Sequence, residues 1–230
     1  MPRRALILFM IPLLSGISAS GIAGPTQETY TVAGGDMGPL NNHVKVWDSS
    51  LVSIPDAVVT VNGTPMPWTG SMYSVDLGAP IPEGDSITLV VEIGDSTIIG
   101  RDIIPVAPLI TGPADGADFG PLDPVTVTWT SSADPDYYEV NIFCPDGCVQ
   151  QEWIVPGDQR SFEIPAGELP VNVGIRLRVY AYNDGEFTGP ADPDSEMNIR
   201  AARGPQPTVT VTDTTPAERA SWGRLKTSYE

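Results

Sequence analysis

The sequence predicts an all-β protein made of two tandem antiparallel β-sandwiches. From residue 28 onward, apolar and polar residues alternate with a period of two, which is typical of strands that bury one face. The 230 residues include 23 glycines and 24 prolines, a content that suits short strands joined by turns. A pattern typical of an amphipathic helix occurs only near the C-terminus.

Residues 1–23 have the layout of a cleaved signal peptide. Basic residues precede an apolar run over 5–14, and small residues follow the run. Cleavage after Ser20 and cleavage after Ala23 both fit this pattern. The run is too short for a membrane span, which needs about 20 residues. We therefore expect an exported protein without a membrane span in its mature chain, located in the periplasm, at the cell surface or in the medium.

Residues 24–105 are predicted to form the first sandwich. Six strands are indicated, at 28–33, 43–48, 57–62, 72–77, 86–93 and 97–103. Asn62-Gly63 and Gly94-Asp95 supply tight turns, because these residue types tolerate the positive φ that such turns require. This many short strands in one segment favours an antiparallel sandwich. A Pro-containing linker at 104–108 ends the segment.

Residues 106–201 carry motifs at four predicted strands. They are Pro108-x-Ile110-x-x-Pro113 at the first strand, Val125-x-Val127-x-Trp129 at the second, Tyr138-x-Val140 at the third and Leu177-x-Val179-x-Ala181-x-Asn183 at the sixth. With these motifs the segment resembles a fibronectin type III domain, which implies a β-sandwich with Trp129 in its core. The connection between its sixth and seventh strands is long for that family. Residues 24–105 resemble, in outline, the immunoglobulin-like modules of exported bacterial proteins.

Composition and motifs predict a protein that is not an enzyme. The formal net charge of −17 repels nucleic-acid phosphates, and no cluster of basic residues offsets it. The sequence has one histidine, no Gly-x-Ser-x-Gly motif and no phosphate-binding loop. We therefore expect a surface for protein interaction or adhesion, at the cell envelope or outside the cell. Its partner would be a protein or a glycan, and no nucleic acid.

A carbohydrate-binding module is the alternative function, and it depends on aromatic residues of the first domain. Trp47 follows His43 and Lys45 on one strand face, and Trp68 and Tyr73 lie nearby in sequence. Rings exposed on a sandwich could stack on sugars. The same rings could instead cover the edge of the core, and the sequence leaves both interpretations open.

Cys144 and Cys148 are predicted to form a disulfide. The residues between them, Pro-Asp-Gly, favour a type I turn followed by a left-handed glycine, which sets the two cysteines across from each other. In an exported chain this arrangement favours oxidation. A metal site that uses the two cysteines would need four ligands, and His43 is the only imidazole in the chain that could add to them.

Two Asp-Pro-Asp triplets, at 134–136 and 192–194, are candidate ligands for calcium. On the fibronectin type III alignment they occupy loops at the same end of the sandwich, where their oxygens could bind Ca²⁺. Solvated turns are the alternative, since Asp and Pro both favour turns. No other cofactor is indicated. The candidate ligands are Asp134, Asp136, Asp192 and Asp194.

Residues 202–230 are predicted to form a linker, over 202–214, and a short helical tail. The helix begins after Thr215, which is a good N-cap followed by proline. So short a helix is marginal alone, so its apolar stripe needs a cover. The cover would be either a partner or the sandwich of the same chain. The stripe consists of Trp222, Leu225 and Tyr229.

Overall fold

The computed structural model describes residues 28–38, 41–131, 133–145, 147, 150–201 and 204–213. The regular elements in these ranges are β-strands, which confirms the all-β prediction for this part of the chain. The same ranges contain no helix that is long and apolar enough to cross a membrane. The predicted signal peptide and the predicted C-terminal helix lie outside the described residues.

The strands between residues 31 and 103 form most of the first sandwich. They are β1 (Thr31–Met37), β2 (Asn41–Trp47), β3 (Val58–Val61), β4 (Thr64–Pro65), β5 (Tyr73–Asp76), β6 (Ser86–Ile93) and β7 (Ser96–Ile103). Strands β5, β2 and β1 are neighbours in one sheet, and β4, β3, β6 and β7 are neighbours in the other. Each of the six predicted segments overlaps one of these strands, and β4 is a two-residue addition.

The alternation of side chains places one face of each strand in the core, as predicted. In β2, Val44 and Val46 are buried, whereas His43 and Lys45 are exposed. Burying a valine side chain contributes about 1.5–3 kcal/mol relative to leaving it in water. The period-two pattern therefore fixes which face of the strand is turned inward.

The turn at Asn62-Gly63 is confirmed. Asn62 has φ of 46° and Gly63 has φ of 76°, so both central residues of the hairpin are left-handed. The Asn62 side chain also accepts a hydrogen bond from the Thr88 N–H at 2.7 Å, which ties the turn to β6. Gly94 likewise takes a positive φ, of 55°, between β6 and β7.

The second sandwich follows residue 108. Its strands are β8 (Leu109–Gly112), β9 (Ala117–Phe119), β10 (Val125–Thr130), β11 (Tyr137–Phe143), β12 (Glu152–Pro156), β13 (Ser161–Ile164) and β14 (Gly174–Asp184). The strands after these are β15 (Glu186–Thr188), β16 (Glu196–Arg200) and β17 (Thr208–Val211). Strands β13, β10 and β8 form one sheet, and β12, β11, β14 and β17 belong to the other.

The core of the second sandwich agrees with the fibronectin type III resemblance. Trp129 of β10 is buried and contacts Tyr138 of β11 edge-on, with 5.2 Å between the ring centroids. With the short β9 set aside, β10, β11 and β14 are the second, third and sixth strands, as the motifs imply. The strand order and the core tryptophan therefore support a sandwich of this kind.

Strands β15 and β16 leave the second sandwich and complete the first. β16 pairs in parallel with β1, from Ala33 beside Glu196 to Met37 beside Ile199. Its last residues pair antiparallel with the end of β14, and β15 pairs antiparallel with β7. Each sheet of the first sandwich thus gains a strand, and nine of the described strands belong to one sheet that runs through both sandwiches.

The two added strands also supply core residues to the first sandwich. Met197 and Ile199 are buried there, and Phe187 packs against the same cluster. The side chains of Met197 and Phe187 pack closely against the backbone at Gly100, which explains the glycine there. A Cβ at this position would lie 2.7 Å from both Met197 Sδ and Phe187 Cε1. The first core is therefore incomplete without residues 186–200.

The observed connectivity corrects two boundaries of the predicted domains. Residues 186–200 were assigned to the second sandwich, but β15 and β16 belong to the sheets of the first. The segment 202–214 was predicted to be a linker, but β17 lies within it, with Val209 and Val211 buried in the second core. Alternation identifies a strand and its buried face, but not the sheet that the strand joins.

The fragment 24–105 is expected not to fold alone, because it lacks β15 and β16. Strand β1 would lose its pairing with β16, and the core would lose Met197 and Ile199. We expect circular dichroism to show no cooperative thermal transition for the fragment. Adding a peptide of residues 184–201 in excess should restore a transition, and the same peptide with Ile199→Asp should not. Cooperative unfolding of the fragment without a peptide would contradict this prediction.

Candidate interaction surface

The first sandwich has one end that points away from the second sandwich, here called the distal end. β16 runs beside β1 from Ala33 to Met37, and its last residues pair with β14 of the second sandwich. The start of β1 is therefore the part of that strand farthest from the second sandwich. Trp47, at the end of β2, pairs with Thr31 at that start. The distal end is therefore formed by the loop 48–57, the turn at Gly94-Asp95 and the connection 189–195.

Residues 48–53, here called the distal loop, are held by the aspartate at their start. Asp48 Oδ1 accepts hydrogen bonds from the N–H groups of Ser50 at 2.8 Å and Val52 at 2.9 Å. The Asp48 N–H donates to the Val52 carbonyl at 3.0 Å, and the Leu51 N–H donates to the Asp48 carbonyl at 2.9 Å. An Asp side chain that bonds to following backbone groups is a common way to fix a turn.

The distal loop presents two apolar side chains to solvent. Leu51 is 73% exposed and Val52 is 59% exposed. Leu51 also has φ of 60°, a left-handed conformation that is uncommon and costly for a residue with a Cβ. A strained backbone position that displays apolar groups is a candidate for binding. In the sequence, the only signal for this loop was the polar stretch Asp-Ser-Ser that interrupts the alternation after Trp47.

The aromatic residues proposed for sugar stacking do not form an exposed platform. Tyr73 is only 2% exposed, and its hydroxyl donates to the Ile54 carbonyl at 2.7 Å. Trp68 is half-buried against the first core and meets Tyr73 edge-on, with 5.1 Å between the ring centroids. Trp47 is half-buried at the base of the distal loop. Tyr73 therefore offers no ring face to a sugar, and packing accounts for Trp68.

The four aspartates proposed for calcium are not brought together. Asp134 forms an ion pair with Arg160, and Asp136 accepts a hydrogen bond from the Asp184 N–H. Asp192 lies at the distal end, where its N–H donates to the Tyr30 carbonyl and its side chain accepts from the Asp194 N–H. Within the described ranges, no three acidic, His or Cys side chains are placed to hold a metal. The two triplets do not lie at the same end of the second sandwich, because the connection after β14 extends along the first sandwich.

A different group of acids meets where the two sandwiches join. Burial raises the pKa of Asp102 at the end of β7, and the carboxylates of Asp136 and Glu186 raise it further. Burial also raises the pKa of Asp184 at the end of β14, and nearby carboxylates add to the effect. Asp102, Asp136 and Asp184 are far apart in the sequence, so their meeting could not be predicted from spacing. The junction acids are Asp102, Asp136, Asp184, Glu186 and Glu196.

In the turn between the two cysteines, Gly147 has the predicted left-handed conformation. Gly147 takes φ of 84°, and its N–H donates to the Cys144 carbonyl at 3.1 Å. Cys144 is buried in the second core. Cys148 lies outside the described residues, so the disulfide stays a prediction. The tail residues Trp222, Leu225 and Tyr229 also lie outside the described residues.

Comparisons with known proteins find similarity only among solved structures. No protein-family model and no curated protein match the sequence. The chicken CNTN1 FN1-FN3 domains are similar with 9% identity and a TM-score of 0.28, over 80% of this chain and 66% of that chain. A two-domain fibronectin type III segment of chicken tenascin has 13% identity and a TM-score of 0.28, over 75% of this chain and 97% of that chain. At these scores, the description of the second sandwich rests on its own strands and core.

The disulfide can be tested by thiol labelling of the exported protein. We expect no alkylation of Cys144 or Cys148 under native or denaturing conditions, and alkylation of both after reduction. Gly147 has the left-handed conformation that the sequence predicts, and a turn of the predicted type sets the residues on its two sides across from each other, which is the physical reason for this expectation. Labelling of either cysteine in the denatured, unreduced protein would contradict the prediction.

The substitution Asp102→Asn is expected to raise the melting temperature at pH 7. The pKa of Asp102 is higher in the folded state than in the unfolded chain, so stability falls as the pH rises from the unfolded to the folded value. Asn removes the charge and keeps an acceptor for the Ile103 N–H, which lies 2.7 Å away. The gain should shrink below about pH 4, where an ordinary Asp is protonated.

The matched control for this prediction is Glu163→Gln on β13. It removes one negative charge from the sheet formed by β13, β10 and β8, which contains none of the junction acids. We expect little change in its melting temperature at any pH between 4 and 7. An equal gain in both variants would show that the effect comes from total charge and not from the junction acids.

Proposed function

We propose that the chain is an exported, non-enzymatic protein that binds a partner protein through the distal loop, at the cell envelope or outside the cell. In this proposal an immunoglobulin-like sandwich, completed by β15 and β16, carries the loop. A fibronectin type III-like sandwich supports it. The observation that carries the proposal is the exposure of Leu51 and Val52 on a loop that Asp48 holds in place.

The distal loop holds its exposed apolar side chains in a fixed position, which favours a role in binding over chance exposure. Loops on a rigid scaffold are frequent sites of recognition. A side chain that is already fixed loses less conformational entropy when a partner covers it. The left-handed backbone at Leu51 has no evident role in the core of the first sandwich, because the side chain is in solvent. Binding gives this strained conformation a function.

The charges at the distal end indicate what kind of partner would fit. Asp56 lies in the loop 48–57, Asp95 in the β6–β7 turn, and Asp192 and Asp194 in the connection 189–195. These acids share the distal end with the apolar side chains of Leu51 and Val52, on a protein with a net charge of −17. A complementary partner would offer an apolar pocket with Lys or Arg at its rim. Attraction of this kind raises the association rate and weakens with salt.

The double variant Leu51→Ser/Val52→Ser tests the proposal by capture from a native envelope extract. We expect the immobilised wild-type protein to retain a partner, and the variant to lose most of it. Truncating a hot-spot residue at the centre of an interface weakens binding by a factor of ten or more. Raising the salt concentration should also reduce capture by the wild type.

The matched control is Leu109→Ser/Ile154→Ser, which removes two exposed aliphatic side chains from the second sandwich. This variant should retain the partner as well as the wild type does. Equal capture by all three proteins would place binding elsewhere, and no capture by any of them would remove the support for a protein partner.

A further inference from the structure

The described chain ends between two loops of the second sandwich. Strand β17 is its last element, and the Val211 carbonyl accepts a hydrogen bond from the Asn172 N–H at 2.7 Å. On the other side of the strand, the Thr212 N–H donates to the Phe119 carbonyl at 2.9 Å. The loop after β9 and the loop before β14 therefore flank the point where the chain continues towards residue 214.

Each of these flanking loops exposes an aliphatic side chain. Leu122, three residues after Phe119, is 83% exposed, and Val171, next to Asn172, is 43% exposed. Neighbouring strands are about 4.8 Å apart, so loops on either side of β17 are separated by roughly 10 Å. A helix with its side chains is about 10–12 Å wide, so one helix could contact both loops.

The remaining chain has the length and the pattern to cover these loops. Its predicted helix begins after Thr215 and carries the stripe Trp222, Leu225 and Tyr229. Only eight residues lie between Asp213 and Trp222, so extended chain could span at most about 30 Å between them. A short tether makes docking effectively intramolecular and raises the local concentration of the tail.

Charge also favours this site for the tail. Residues 214–230 carry Arg219, Arg224 and Lys226 against Glu218 and Glu230, which gives a side-chain net charge of +1, whereas the folded part of the chain is strongly acidic. Two of its acids, Asp118 and Asp123, lie in β9 and in the loop that follows it. Opposite charges at the rim of an apolar contact orient the two surfaces and add a modest attraction.

We propose that residues 215–230 dock as a short helix on the second sandwich of the same chain, over Leu122 and Val171. The apolar stripe faces the two aliphatic side chains, and the basic residues face the acids beside them. This inference is independent of the distal loop and of any partner bound there.

Limited trypsin digestion of the full mature chain, followed by mass spectrometry, tests the docking. Trypsin cuts after Arg219, Arg224 and Lys226, and a protease cuts mainly the undocked form. If nine tenths of the molecules are docked, Leu122→Asp should speed these cuts about tenfold by releasing the tail. Trp222→Ala should give the same increase, and combining the two substitutions should add little, because either one breaks the contact.

The control is Leu51→Asp, which places the same charge at an exposed leucine of the distal loop. It should leave the cutting rates of the tail unchanged, and melting curves should show that each variant is folded. Equal rates in the wild type and Leu122→Asp would overturn the proposal. A tail that is cut freely in the wild type, but protected after addition of envelope extract, would also overturn it and would assign the stripe to a partner.

Discussion

Strand β16 is the element on which the rest of the architecture depends, since it is hydrogen-bonded to both sandwiches. It pairs with β1 along most of its length and with the end of β14 at its last residues. Met197 and Ile199 project from it into the first core. Backbone pairing and apolar burial therefore act on the same five residues. Each sheet of the first sandwich lacks one strand until β15 and β16, which follow β14 of the second sandwich, have paired with it.

This arrangement has an electrostatic cost, which falls on the junction acids. The segment 186–200, which completes the first sandwich, begins beside Asp184 and brings Glu186 close to Asp102 of β7. Burial and mutual repulsion disfavour the ionised carboxylates there, as the raised pKa values of Asp102 and Asp184 show. The junction is held by other contacts, among them the hydrogen bond from the buried Asn183 amide to the Ile103 carbonyl at 3.1 Å. The packing of the two sandwiches thus prevails over the repulsion of their charges.

The strands were predictable from the sequence because alternation reports burial directly, and burial is a local property of each strand. Val44 and Val46 in β2 illustrate this, as does the Asn62-Gly63 turn, whose conformation follows from its residue types alone. The partner of a strand is not a local property. In Glu196–Arg200, buried and less buried side chains alternate beside β1, and the same alternation would suit a strand at the edge of the second sandwich. The sequence of this strand therefore does not identify the strand that it pairs with. The distal loop was missed for a related reason, because the positive φ of Leu51 leaves no mark in the composition.

The continuous sheet also determines how the distal loop is held relative to the second sandwich. Two modules joined by one linker are expected to move relative to each other. Here the chain crosses between the sandwiches at 104–108, crosses back at Gly185 and returns after Arg200, and β16 adds a ladder of hydrogen bonds along the way. The distal loop follows β2, which pairs with β1, which pairs with β16. Its orientation is thereby fixed relative to the second sandwich, so the partner proposed for the distal end would not have to immobilise one module against the other on binding.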